Sequence, residues 1–373
     1  MKILTFLLVS ASSACGFSSP EASFRSHEHH SSHIVVLSSV LLSAKSDSNS
    51  DSDSAKTITT ADTTMASTSD DCKILNFRAA AGLKDYNIFR CGATDNLASY
   101  VDPSASTSSS PPPMQSTDAL VYNDAGLILD LRSDSERDNA KTRTWVQSSM
   151  NIVAVDAATT TIPDGQCDDR TILQIDVLSP QRFMAYVTQN WFPTTAQRLR
   201  LKWYKLMDGA ALHAMRIEAL NERGLRGLNE AILETGRSEL NLALRWITVY
   251  LETRCAPVVI HCVKGKDRTG MLVMLLQTIL EVPRDVIVED YVASNAAFAK
   301  EAKPSAAIGM RKVGKLDKAK FAGTNAEAIR ATFRHCEDKY GSVIGYLDAI
   351  GFDEGWRQRL RNVRRDEAPR SRL

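Results

Sequence analysis

No apolar run in the 373 residues approaches the roughly 20 residues that a membrane-spanning helix requires. Nor is there a surplus of either charge. Lys and Arg number 45 against 44 Asp and Glu, a formal net charge of +1, which withholds the basic field that nucleic-acid binding draws on. Cysteine is sparse: Cys15, Cys72, Cys91, Cys167, Cys255, Cys262 and Cys336 are odd in number and lack metal-ligand spacing. A disulfide scaffold and a cysteine metal site are both excluded as readings. What remains is 43% hydrophobic and 24% charged, enough for one sizeable core with extensions.

One stretch carries the chemistry: His261-Cys262-Val263-Lys264-Gly265-Lys266-Asp267-Arg268-Thr269-Gly270. An apolar strand, Pro257-Val258-Val259-Ile260, precedes it, and an apolar helix, Met271-Leu272-Val273-Met274-Leu275-Leu276, follows. Cys72 and Arg78 repeat the cysteine–arginine spacing, but with no glycine between them and no helix after them, and that pair is set aside. In the second pair Gly265 lets successive backbone N–H groups turn inward, and the helix start adds its positive end. Such a cradle would hold Cys262 as a thiolate, the nucleophilic form. Arg268 offers a planar fork for two oxygens of a phosphoryl group. Thr269 is expected either to donate its hydroxyl to the thiolate or to cap the helix. The combination points to hydrolysis of phosphate esters through a covalent intermediate.

A proton donor for the leaving alcohol is also needed. A separate Trp-Pro-Asp loop is missing, since Trp191-Phe192-Pro193-Thr194 carries no aspartate. Asp267 instead lies inside the loop, beside Arg268. Here the sequence resembles the bacterial and fungal tyrosine-phosphatase family with dual protein and lipid activity. The resemblance implies that Asp267 is the general acid and base; a second reading leaves it orienting Arg268. It extends to Asn76-Phe77-Arg78, Phe89-Arg90-Cys91-Gly92-Ala93, Gly126 through Ser133, Gly224-Leu225-Arg226-Gly227-Leu228, Asp290 through Asn295 and Tyr340 through Leu347. Coverage is about residues 73–363, and Cys91 stands where serine is more usual. The implied catalytic residues are Cys262, Arg268 and Asp267. Val263, Lys264, Gly265, Lys266, Thr269 and Gly270 are the implied substrate-binding residues. No metal or organic cofactor is implied.

The fold class expected is α/β: a central, mainly parallel sheet flanked by helices, tyrosine-phosphatase-like, with a helical lid insertion. Gly126–Leu131, Ile172–Val177 and Val258–Ile260 read as buried parallel strands. Helical patterns fill Gln181–Tyr186, Thr195–Met207, Ala210–Glu222 and Leu240–Thr253, and another begins at Arg284. Residues 181–223 exceed what a crossover needs and read either as a lid over the pocket or as a packed helical layer. Arg132 is expected to pair with Asp130 or to add charge behind the loop.

Residues 1–16 read as a signal peptide, with a basic start, a short apolar run and the small residues Ala14-Cys15-Gly16. Residues 17–72 form a Ser/Thr/Asp-rich presequence and linker. The whole resembles the two-part presequence of algae whose plastids lie within the secretory system, with plain secretion as the alternative. His27, His29, His30 and His33 fall in this coreless segment and read as solvated. Pro103–Ser116 reads as a disordered surface insertion and 364–373 as a tail. For substrates, Lys264 and Lys266 read either as two mobile charges at the pocket, which suits phosphoinositides as well as phosphotyrosine, or as lysines that are solvated or help the loop fold. Inositol polyphosphates or pyrophosphates are a further class. A rival reading is a non-catalytic module that binds phosphorylated ligands, and a persulfide-transferring rhodanese-like domain is another. The oligomeric state is not legible.

Overall fold

The structure is a computed structural model that describes residues 74–94, 117–138, 149–157, 170–254, 256–298 and 313–363. The expected leader, the presequence with its histidines, the 103–116 insertion and the tail lie outside the described residues.

Six strands form one sheet: β1 (Arg78–Ala79), β2 (Ile88–Cys91), β3 (Leu127–Asp130), β4 (Asn151–Val155), β5 (Thr171–Ile175) and β6 (Val258–His261). Their order is β1-β2-β6-β3-β5-β4, with β1 antiparallel to β2 and every other pairing parallel. The centre is built from β3, β6 and β5, whose apolar residues are buried on both faces, with polar Asp130, His261 and Gln174 toward their carboxyl ends. Strand periodicity divides them cleanly. Leu127, Leu129, Leu173, Ile175, Val258 and Ile260 enter the larger core, while Ile128, Ile172 and Val259 enter a smaller one with Ile74, Tyr122 and Met150.

Helices supply the larger core's second layer. After β5 come α3 (Pro180–Asn190), α4 (Thr195–Met207), α5 (Gly209–Thr235) and α6 (Arg237–Thr253), counting α1 (Thr117–Asp124) and α2 (Asp134–Asp138) before them. After β6 come α7 (Asp267–Ile279), α8 (Arg284–Phe298), α9 (Ala326–Tyr340), α10 (Val343–Ala349) and α11 (Glu354–Asn362). α7 is continuously apolar from Met271 to Leu276 and is buried along almost its whole length, which makes it the central helix. α5 is broken at Gly224, whose φ of 56° and ψ of −143° only glycine adopts readily.

The expected fold is therefore present, and the three strands read from apolar runs are β3, β5 and β6. Within the helical region, α3 and α5 bury Phe183, Val187, Ile217 and Leu220 and form a packed layer. α4 differs, burying only Leu201.

Candidate active site

β6 runs between β2 and β3 and ends at His261, so Cys262 begins its loop at the carboxyl edge of the sheet, where open α/β folds place ligands. Gly265 has φ 66°, and a Cβ on it would stand 2.1 Å from the Cys91 carbonyl oxygen and 2.6 Å from the Gly92 nitrogen. The loop thus rests directly on the end of β2, and only a residue without a side chain fits. The turn brings the Gly265 N–H to 3.3 Å from Cys262 Sγ, to which it donates. The thiol is 3% exposed and sits before the N-terminus of α7, whose unpaired N–H groups favour an anion.

Arg268, one residue into α7, is 2% exposed. Its Nη1 donates to the Leu131 carbonyl at 3.1 Å and to Glu136 Oε2 at 2.5 Å, and its Nη2 donates to Glu136 Oε1 at 2.7 Å. Glu136, on α2, is held in turn by the Ser133 N–H and hydroxyl. Burial opposes both charges, yet the pair prevails: Glu136 is held below the usual carboxylate range, and Arg268 is driven further toward its charged form by Glu136 and by Cys262. A guanidinium has five N–H donors in a fixed fork. Three are engaged, leaving Nε–H and one Nη2–H, adjacent on one edge, without a partner among the described residues. That edge is the one able to grip two oxygens of a phosphoryl group.

The loop's outer side is braced by the chain's amino-terminal segment. Asn76 Nδ2 donates to the Gly265 carbonyl at 2.9 Å and to that of Lys264 at 3.3 Å. Arg90 Nη2 donates to the same Gly265 carbonyl at 2.9 Å, while its Nη1 pairs with Asp290 Oδ2 at 2.7 Å. Arg78 completes the set, pairing with Asp290 Oδ1 at 3.1 Å. Gly270 admits this brace, since a Cβ there would lie 3.1 Å from the Tyr291 ring and 3.5 Å from Arg90 Nη2. Two distant stretches thus converge on one carbonyl, and Asp290 from a third holds their arginines.

The remaining loop residues are placed as follows. Val263 is half-buried, and its carbonyl accepts the Ala93 N–H at 2.9 Å. Lys264 is half-buried with its ammonium 5.3 Å from the centre of the Phe298 ring. Lys266 departs from expectation. Rather than a mobile charge, it is 2% exposed and donates to the Phe321 and Gly323 carbonyls, each at 2.8 Å, with Asp267 Oδ1 3.2 Å away. It ties the loop to the segment before α9. Asp267 is 6% exposed, and its Oδ1, though near that ammonium, has no hydrogen-bond partner. The Thr269 hydroxyl is buried without a partner, so neither the bond to Cys262 nor a cap is formed; as the third residue of α7 it lies past the cap position.

Two residues that sequence reading missed belong here. Glu136 is one. The other is Asp176, just past β5, whose Oδ1 is buried without a hydrogen-bond partner. Burial holds its carboxyl above the ordinary range even though Arg268 and Arg182 pull it down. A carboxylate closing an apolar strand was the available signal.

Arg132 pairs with Asp130, Nε to Oδ1 and Nη2 to Oδ2, both at 2.9 Å, and so faces away from a phosphate role. Trp191 is buried, packed edge-on to Phe183 and Tyr186 with the Arg223 guanidinium over its ring. Cys91 lies in the smaller core and Cys336 in the larger, both as free thiols, with burial pushing Cys336 up to about 12. Among the described residues no group of His, Cys, Asp and Glu is arranged to hold a metal ion, and no helix is long and apolar enough to cross a membrane.

Residues 119 long in one alignment are 35% identical to the triple specificity protein phosphatase PtpB of Mycobacterium tuberculosis, covering 29% of this chain and 43% of that protein. The chain therefore matches less than half the length of this curated relative. The model of the tyrosine phosphatase family matches residues 108–363, more than half of the chain and all of the loop, α2 and the helices behind them. A buried thiol on a glycine turn, an arginine fixed by a glutamate, and this match together make the chain a member of the tyrosine phosphatase family.

Proposed function

We propose that the protein is a cysteine-dependent phosphatase that hydrolyses phosphomonoesters, with protein phosphotyrosine and phosphoinositides as its substrates. One observation carries the reading: Cys262 Sγ accepts the Gly265 N–H while Arg268, clamped by Glu136, keeps two adjacent N–H groups unengaged. An inert core thiol would require neither. Breadth of substrate is supported by the relative, whose name describes triple specificity.

The reaction is two in-line displacements. Cys262 attacks phosphorus; the bond from phosphorus to the leaving oxygen breaks, and that oxygen takes a proton from Asp267. Backbone N–H groups and the open edge of Arg268 hold the equatorial oxygens as their charge redistributes. Water then gives its proton to Asp267 and displaces the Cys262 sulfur, releasing inorganic phosphate. The fixed guanidinium needs no reorganisation at either step, because Glu136 and the Leu131 carbonyl already hold it.

Hydrolysis of an aryl phosphate by the full chain, compared with Cys262→Ser, tests this directly. The unaltered protein should release a burst of alcohol ahead of steady turnover. Equal turnover in both proteins would remove Cys262 from the chemistry. Lys264→Ala separates the substrates, since a lipid-directed role predicts a larger loss on phosphoinositide than on phosphotyrosine.

A further inference from the structure

α4 is the one long helix of the layer with little buried on its inner face and much apolar surface outside. Leu201 is buried and Tyr204 packs half-buried against the core. Leu199 is 67% exposed, Trp203 59%, Leu206 80% and Met207 62%. These four account for all but one of the large exposed apolar side chains of the described residues, the other being Val313. At 3.6 residues per turn they fill an arc of roughly 100° on the side away from Leu201 and Tyr204. Lys202 flanks one border of that arc and Arg200 the other, while Arg198 and Lys205 lie further round, toward the Leu201 side. The helix Thr195–Met207 contains no acidic residue, and none of its four cations forms an ion pair with a described residue. Arg200 and Arg198 are steadied without neutralisation, by the Tyr204 hydroxyl at 2.8 Å and the Phe192 carbonyl at 3.1 Å.

An apolar stripe with a tryptophan, bordered on both sides by cations, is the pattern of a helix lying in a lipid interface. We propose that α4 is a docking helix that seats the protein on an anionic bilayer surface, with Leu199, Trp203, Leu206 and Met207 entering the acyl boundary. Arg200 and Lys202 reach the headgroups while their stems line the stripe, and Arg198 and Lys205 add to the positive field of the helix. Charge argues against a second copy. Docked face to face, it would set the Arg200 and Lys202 of each helix against those of the other with no acid between. The helix also has a firm anchorage: a capping box joins Thr194 and Gln197 at one end, and Asp208 accepts the Ala211 N–H at the other. Docking depends only on this face and not on the phosphate-ester reading of the site.

Flotation of the full chain with vesicles is the test, comparing phosphatidylcholine alone with phosphatidylcholine rich in phosphatidylserine and no phosphoinositide. The protein should float with the anionic vesicles and be released by salt. The triple variant L199S/W203S/L206S should bind at least about 10-fold more weakly. R200E/K202E/K205E should also lose anionic binding. Both variants change exposed side chains and should keep aryl phosphate turnover. Trp203→Phe should bind as before but lose the blue shift that lipid imposes on Trp203 emission. The proposal is overturned if the unaltered protein stays unbound, or if the triple variant binds equally well. It is likewise overturned if sedimentation shows a dimer that the triple variant dissolves, which would assign the face to a second copy. A severalfold rise in aryl phosphate turnover in that variant, with vesicle binding retained, would instead assign α4 to covering the pocket.

Discussion

Replacing Glu136 with Gln tests how far the arginine's usefulness depends on its buried partner. Gln is nearly the same shape but uncharged, so Arg268, 2% exposed, would remain a buried cation without its counter-ion. Breaking one side of a buried pair costs about 3–5 kcal/mol. Gln can still accept one of the two hydrogen bonds, which places the expected loss near the lower end, about 3 kcal/mol by denaturant melt at pH 7. The pH dependence supplies a second check. Glu136 is held below its ordinary value, so the unfolded chain binds the proton first as pH falls. Its contribution is complete above the ordinary carboxylate value of about 4.3 and is lost as pH falls through the folded value. The stability gap between the two proteins should therefore narrow in acid. Catalysis should fall as well: about 2 kcal/mol of lost positioning is about 30-fold in kcat/KM. A variant within about 1 kcal/mol of the parent at pH 7, with unchanged kcat/KM, would refute the clamp.

Asp267→Asn should slow esters with poor leaving groups far more than those with good ones, by about 10²-fold or more for the poor ones. Asp176→Asn should leave that leaving-group slope alone and raise stability by about 1 kcal/mol near neutral pH, because it removes a negative charge that burial disfavours. The parent's stability should fall as pH rises through the raised value of Asp176, and the variant's should not; an exchanged pattern of leaving-group effects would move the proton transfer to Asp176. Lys266→Met should cost about 2–3 kcal/mol by thermal melt, since the Phe321 and Gly323 carbonyls lose a charged donor, and an unchanged melt would dismiss the tether. Gly265→Ala should abolish aryl phosphate turnover, as the added methyl would stand 2.1 Å from the Cys91 carbonyl oxygen; near-normal turnover would contradict the stacked loop.

The loop and its two flanking elements were legible because local pattern determines them: an apolar strand, a glycine turn and an apolar helix. The three central strands were legible for the same reason. β1 and β2 were not read as strands, being two and four residues long with Arg78 and Arg90 in them. β4 alternates weakly at the sheet edge. The clamp was hidden for a different reason. Glu136 lies 132 positions from Arg268, and nothing near either residue announces the other. Sequence could not choose between a mobile and a loop-building Lys266, because it displays the charge but not the partners, which are main-chain carbonyls beyond residue 320. Asp290 and Arg90 were visible as family-like segments, yet only the fold shows that they pair with each other behind the Gly265 carbonyl, which Arg90 holds.

The family match begins at residue 108, whereas β1 and β2 lie before it. In the sheet order β2 covers the flank of β6, the strand that delivers Cys262. A shortened chain starting at the match would strip that cover and leave the nucleophile's own strand as a raw border of unpaired amides, ready to recruit another chain. The stretch that the family model matches and the stretch that builds the sheet are thus not the same length. The loop's brace, through Asn76 and Arg90, comes from the part that lies before the match.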